Sequence, residues 1–148
     1  MKKQAYMIIT VIMLVTIAGL STAKAQTSGN PQLIANIPFE FSVGNKTMPA
    51  GEYTVSCANA TSPRKVLQLR GRDGRAGVFV QTNSTIGKIQ DSAKLVFNRY
   101  GDQYFFAQAW LPADNIGMQA SQSRSEKFAR ELVREKRTTE TVVATTQR

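Results

Sequence analysis

Between Lys65 and Thr82 the chain reads KVLQLRGRDGRAGVFVQT, and this stretch limits the possible folds more than any other. Asp-Gly is a preferred two-residue hairpin turn, because type I′ geometry needs positive φ at both central positions. Taking Asp73-Gly74 as the loop sets Leu69 opposite Val78 and Leu67 opposite Val80, with both apolar pairs on one face. Turn chemistry and hydrophobic period therefore choose the same register independently. That register also sets Arg72 directly opposite Arg75, a like-charge pair that ordinarily destabilises a hairpin.

Two more stretches carry strand signals. In IPFEFSVGNKTMPAGEYTV, Ile37 to Val55, the apolar residues Ile37, Phe39, Phe41 and Val43 alternate with Glu40 and Ser42, the period of a half-buried strand. Pro38 assigns it to a sheet edge or to the first residues of a strand. Gly44-Asn45 begins a turn that Pro49-Ala50-Gly51 continues, and Tyr53, Val55 and Cys57 resume the alternation. In KLVFNRYGDQYFFAQAW, Lys94 to Trp110, a turn falls at Gly101-Asp102. A two-residue loop pairs Phe97 with Phe106, whereas a three-residue loop pairs Phe97 with Phe105 and Leu95 with Ala107, and the sequence leaves both open. Asn83 to Ser92, with Ile86 and Ile89, reads as a short strand or a loop.

After Pro112 the texture changes. Ser123 with Glu126 three residues later is a capping-box signal, and Glu126 to Lys136 then reads as helix, supported by Glu126 and Arg130 at i,i+4. Phe128, Ala129, Leu132 and Val133 make a narrow stripe, so the helix should rest one edge on the β-domain or project from it. The expected organisation is a β-domain over 33–120, a helix over 121–137 and a disordered tail over 138–148. Within that tail, Thr141 to Thr146 would pair as a strand only if an edge were offered. Several strands with short turns and little helix predict an antiparallel β-sandwich or small barrel with one C-terminal helix.

The chain opens with Lys2 and Lys3, an apolar run from Ala5 to Leu20, and Ala23-Lys24-Ala25. Basic, apolar and small-residue segments in that order predict a secretory signal peptide over 1–25, cleaved after Ala25, and a flexible leader over 26–32. The product would be secreted or periplasmic, with no transmembrane segment left after cleavage. Losing Lys2, Lys3 and Lys24 from 19 basic residues, against 10 acidic ones, leaves the mature chain at about +6. That excess suits contact with anionic polysaccharide or a membrane surface. Export argues against a nucleic-acid partner.

The available chemistry is narrow. The chain has no histidine and one cysteine, which removes the usual base near neutral pH and any cysteine-histidine metal site, and with them an intrachain disulfide. Cys57 shares a face with Tyr53 and Val55 and should be a buried, inert thiol. No catalytic, cofactor or metal residues stand out. Carboxylates at turns or solvent faces, Glu40, Glu52, Asp73, Asp91, Asp102 and Asp114, would serve the alternative reading, a small carboxylate-dependent carbohydrate-active or other hydrolytic enzyme. Tyr100, Tyr104, Phe105, Phe106 and Trp110 read as core, with a carbohydrate-stacking platform as the functional alternative. The candidate site is the basic hairpin, with Arg70, Arg72 and Arg75 nominated as anion-binding residues.

The order of the IPFEFSVGNKTMPAGEYTV, KLVFNRYGDQYFFAQAW and SRSEKFARELVREK segments resembles a group of small exported bacterial β-rich proteins of unknown function, over about Leu33 to Lys136. A weaker likeness is to transthyretin-like β-sandwich modules, in which a PAG-x-Y-x-V segment also occurs. These resemblances imply export and a β-rich domain and supply no site residues. The expected function is that of an exported, non-enzymatic structural or interaction module.

Overall fold

The structure, a computed structural model, describes residues 31–59, 61–62, 64–133 and 138–147. The signal-peptide assignment and most of the leader lie outside the described residues. Ten strands and one helix follow in chain order: β1 (Gln32–Ile37), β2 (Phe41–Val43), β3 (Lys46–Met48), β4 (Gly51–Cys57), β5 (Val66–Gly71), β6 (Gly77–Ile86), β7 (Ala93–Tyr100), β8 (Gln103–Trp110), β9 (Ile116–Ala120), α1 (Arg124–Leu132) and β10 (Thr138–Gln147).

Eight of the strands close into an antiparallel barrel in the order β8-β7-β10-β1-β4-β5-β6-β9, with the β8–β9 pairing completing the ring. Of the two expected architectures, this is the barrel. Closure removes the exposed sheet edges that would otherwise template aggregation.

Alternation decides which side chains enter the barrel. Leu33, Ala35 and Ile37 of β1, Tyr53 and Val55 of β4, and Leu67 and Leu69 of β5 are all nearly inaccessible. Leu95 and Phe97 of β7 and Phe106 of β8 meet them from the opposite wall. The lumen is thus a packed core, as expected where eight strands leave an interior just wide enough for side chains. Part of this core is an aromatic cluster. Phe97 meets Phe39, Phe41 and Phe106 edge-to-face, with ring centroids 5.3, 5.3 and 5.9 Å apart, and Phe41 meets Tyr53 at 5.2 Å.

The opening stretch departs from expectation at Pro38. The alternation does run through it, yet β1 stops at Ile37 and β2 starts at Phe41, because proline has no N–H to give a ladder. The expected continuous turn from Gly44 to Gly51 contains β3, which pairs with β2 through Phe41–Met48 and Val43–Lys46. β2 then lies parallel to β8 at Ser42–Phe105. The β2–β3 flap buries Phe41, Val43 and Met48 over one end of the barrel.

The β7–β8 hairpin uses a register that neither simple loop provides. Its turn has two residues, with Tyr100 opposite Gln103 and Phe97 opposite Phe106, but a bulge at Val96/Phe97 then places Leu95 opposite Ala109. Gly101 takes φ 59° at the first central position, where a type II′ turn calls for glycine. The bulge inserts one residue into β8 and reverses its alternation, which is how Phe106 and Ala109 both face inward.

The C-terminal assignments change most. The helix spans Arg124–Leu132, shorter than expected, and residues 134–137 lie outside the described ones. Ser123 caps it as anticipated, its Oγ accepting from Glu126 N at 3.1 Å. Ala129 and Val133 rest on Tyr100 and Phe105, outward-facing residues of β7 and β8. The expected disordered tail is strand β10, paired over Thr138–Ala144 with β7 and at Thr145–Gln147 with β1. Gln32, assigned to the leader, is the first residue of β1.

Candidate functional site

The tip of the β5–β6 hairpin holds the nominated arginines. Gly71 N donates to Ala76 O at 2.8 Å and Gly74 N to Gly71 O at 2.9 Å, so residues 72–75 form a four-residue loop in place of the expected two. One extra residue on each side leaves the register unchanged: Leu69 still faces Val78 and Leu67 faces Val80. Gly74 sits at φ 71°, a region that a β-carbon disfavours. Asp73 Oδ1 accepts from Arg75 N at 3.1 Å, a local side-chain turn that stiffens the tip.

The three arginines do not act as one set. Arg72 Nη1 donates to both carboxylate oxygens of Glu52, at 2.8 and 3.0 Å, and its backbone N–H donates to Glu52 O at 2.9 Å. Arg72 therefore ties the tip to β4, and the expected opposition of Arg72 and Arg75 across the ladder does not occur. With the Arg72 side chain 77% exposed, the ion pair is worth only about 0.2–1 kcal/mol. Arg70 reaches toward the turn: a β-carbon placed on Gly74 would lie 3.8 Å from its Nη2. Arg70 and Arg75 are exposed and form no ion pair among the described residues.

A fourth cation joins them through the fold. Lys46 of β3 extends its Nζ to Gly77 O at 2.7 Å, and Gly77 is the ladder partner of Arg70. Sequence reasoning missed Lys46 because 31 residues separate it from its acceptor. The closed end thus carries Lys46, Arg70, Arg72 and Arg75 against Glu52 and Asp73. A cleft of about 440 Å³ opens beside them, between the Pro49–Tyr53 segment and the Gly71–Asp73 turn. Tyr53 donates its hydroxyl there to Pro49 O at 2.7 Å. Burial, and secondarily the negative charge of Asp73, raises its pKa above the ordinary 10.0, so it remains a neutral phenol.

The other nominated groups are mostly engaged in structure. Besides Glu52 and Asp73, Asp102 lies 3.7 Å from Arg99 Nη2 and Asp114 Oδ1 accepts from Ile116 N at 2.8 Å. Glu40 and Asp102 border a cleft over Phe39 and Tyr104, while Asp91 is exposed. Among the described residues no three His, Cys, Asp or Glu side chains come together. Tyr100, Phe105, Phe106 and Trp110 are buried and offer no stacking platform. Tyr104 stacks on Phe39 with centroids 3.9 Å apart and carries the Arg99 guanidinium over its ring at 5.4 Å. Cys57, expected to be buried, is only half-buried. It borders a small pocket of about 80 Å³ at the opposite mouth of the barrel, with Leu33, Leu67 and Met118.

No helix among the described residues is long and apolar enough to cross a membrane. No family model, curated protein or solved structure matches this chain.

Proposed function

We propose that this protein is an exported, non-enzymatic interaction module, secreted or periplasmic, that meets anionic envelope polymers at the closed end of its barrel. The observation that carries this reading is the pair Arg70 and Arg75, exposed and without ion pairs among the described residues at a stiffened turn. Lys46 extends the same basic surface. Arg72 has a different part, holding the turn against β4 through Glu52.

Cations presented this way stay hydrated, so an acidic polysaccharide or a layer of lipid headgroups can be contacted without burying an unpaired charge. Such contact is sequence-tolerant and weakens with salt, because exposed charges are screened beyond about 8 Å at physiological ionic strength. The filled lumen supports the same reading, since it leaves recognition to the outer surface. The expectation of export rests on the basic, apolar and Ala-x-Ala order of the first 25 residues.

The test is retention of the purified protein on immobilised polygalacturonate and on phosphatidylglycerol vesicles, at low and high salt. Arg70→Gln with Arg75→Gln should abolish most of the low-salt retention and leave thermal unfolding unchanged. Arg72→Gln should weaken retention less and lower stability slightly. A parent protein that shows no salt-sensitive retention on either support would refute the proposal.

A further inference from the structure

On the outer face of the barrel a separate groove of about 590 Å³ runs between β6, β9 and β8 and the first turn of α1. Its walls are polar. Asn83 of β6 lies directly opposite Gln119 of β9, and Gln119 lies opposite Gln108 of β8, so three amides form a row across three adjacent strands. Gln108 is oriented by Trp110, whose Nε1 donates to its Oε1 at 3.0 Å. Inward alternation of Thr82, Met118 and Phe97 places Asn83, Gln119 and Asn98 outward.

At the base of this groove is a carboxylate that the capping-box pattern does not explain. Glu126 is only 4% exposed. Its backbone N–H is capped by Ser123, but its side chain turns into the fold. Oε1 accepts from Asn98 Nδ2 at 2.7 Å and from Tyr100 OH at 3.4 Å. Among the described residues Oε2 receives no protein hydrogen bond, and no buried side-chain oxygen or nitrogen lacks a partner. Oε2 is therefore not sealed from solvent, and the space that Glu126 borders is this groove. A carboxylate oxygen that reaches solvent beside a row of amides can accept from the donors of a ligand seated there.

We propose that this groove binds a neutral saccharide, with hydroxyls donating to Glu126 Oε2 and exchanging hydrogen bonds with Asn83 and Gln119. The groove's charge is balanced, with Glu126 and Lys127 both in its lining, so it favours neither an anionic nor a cationic ligand. An extended peptide would need a free strand edge, yet the strands that meet in the groove are laddered to one another, Asn83 with Gln119 and Gln119 on its other side with Gln108. Amide side chains carry both donors and acceptors, which matches a hydroxyl-rich partner. The site is independent of the basic tip and of its anionic ligands.

The experiment is a titration followed by side-chain amide NMR, using the purified chain with maltotetraose, cellotetraose, xylotetraose and chitotetraose at high salt. At least one should give saturable shifts at the Asn83, Asn98 and Gln119 amides. Gln119→Ala, which removes an exposed side chain, and Glu126→Gln, which keeps shape and removes the charge, should each weaken that binding about tenfold, the cost of losing one hydrogen bond at a charged or fixed partner. Arg70→Gln with Arg75→Gln should leave it unchanged. No binding by any of the four sugars, or binding unchanged in folded Gln119→Ala, would overturn the proposal. The double arginine variant reports separately on the basic tip.

Discussion

The β5–β6 and β7–β8 hairpins are both two-stranded ribbons of the same barrel, but one is packed on a single face and the other on two. β5–β6 points Leu67, Leu69 and Val80 inward and leaves Arg70 and Phe79 in solvent. β7–β8 buries Phe97 and Phe106 inside, then buries Tyr100 and Phe105 outside under α1. Its far end is covered by Trp110, whose ring lies against the backbone of Gly117 and Gly87. The difference separates roles. Cations free to meet an anionic partner, Arg70 and Arg75, lie on the one-faced ribbon, and the aromatic residues that resemble a sugar platform are structural on the other.

The contrast can be attacked from its costliest point downward. Trp110→Ala should destabilise by about 3–5 kcal/mol, since it empties a large buried volume, whereas Phe79→Ala, at a site 63% exposed, should stay within about 0.5 kcal/mol of the parent. Urea unfolding of the two variants measures both. Gly117→Ala should cost about 1–3 kcal/mol, because a β-carbon there would lie 2.7 to 2.8 Å from three atoms of the Trp110 ring, an overpacking that a rigid aromatic cannot absorb. Combining it with Trp110→Ala should recover most of that cost, which a double-mutant cycle detects. Gly74→Ala at the one-faced tip should cost about 1 kcal/mol from its left-handed backbone, since the added β-carbon meets only Arg70 Nη2, at an ordinary 3.8 Å.

The smallest effect concerns pH. Tyr53, the ladder partner of Gly71, has its phenol pKa raised in the folded state by burial and then by Asp73. Above pH 10 the unfolded chain releases this proton before the folded one, so it binds fewer protons and stability falls as pH rises. Thermal unfolding from pH 8 to 11 should show that decline in the parent and a shallower one in Tyr53→Phe.

What the sequence disclosed follows the same division. The β5–β6 register was legible because its turn and its period agree over adjacent residues, and a four-residue loop preserves the pairing of a two-residue one. The β7–β8 register was not, because a bulge at Val96/Phe97 joins two registers that no single loop length generates. β10 was hidden for another reason. Its Thr-rich stretch buries little beyond Ala144, and its strand exists because β7 and β1, far away in sequence, offer two edges. Ser123 announced the helix start, yet nothing local shows Glu126 turning inward, since Asn98 and Tyr100 are 28 and 26 residues away. The candidate arginines were visible as residues; their unequal roles depend on Glu52 and Lys46, brought in by β4 and β3.

The central claim, that anionic polymers are met at the basic closed end and not on the two-faced ribbon, is tested most directly by hydrogen–deuterium exchange of the protein with and without polygalacturonate at low salt. The account predicts added protection confined to Lys46 and to residues 70–77, reversed by salt, with residues 94–110 unchanged. Protection centred on 94–110, or spread evenly over the barrel, would contradict it.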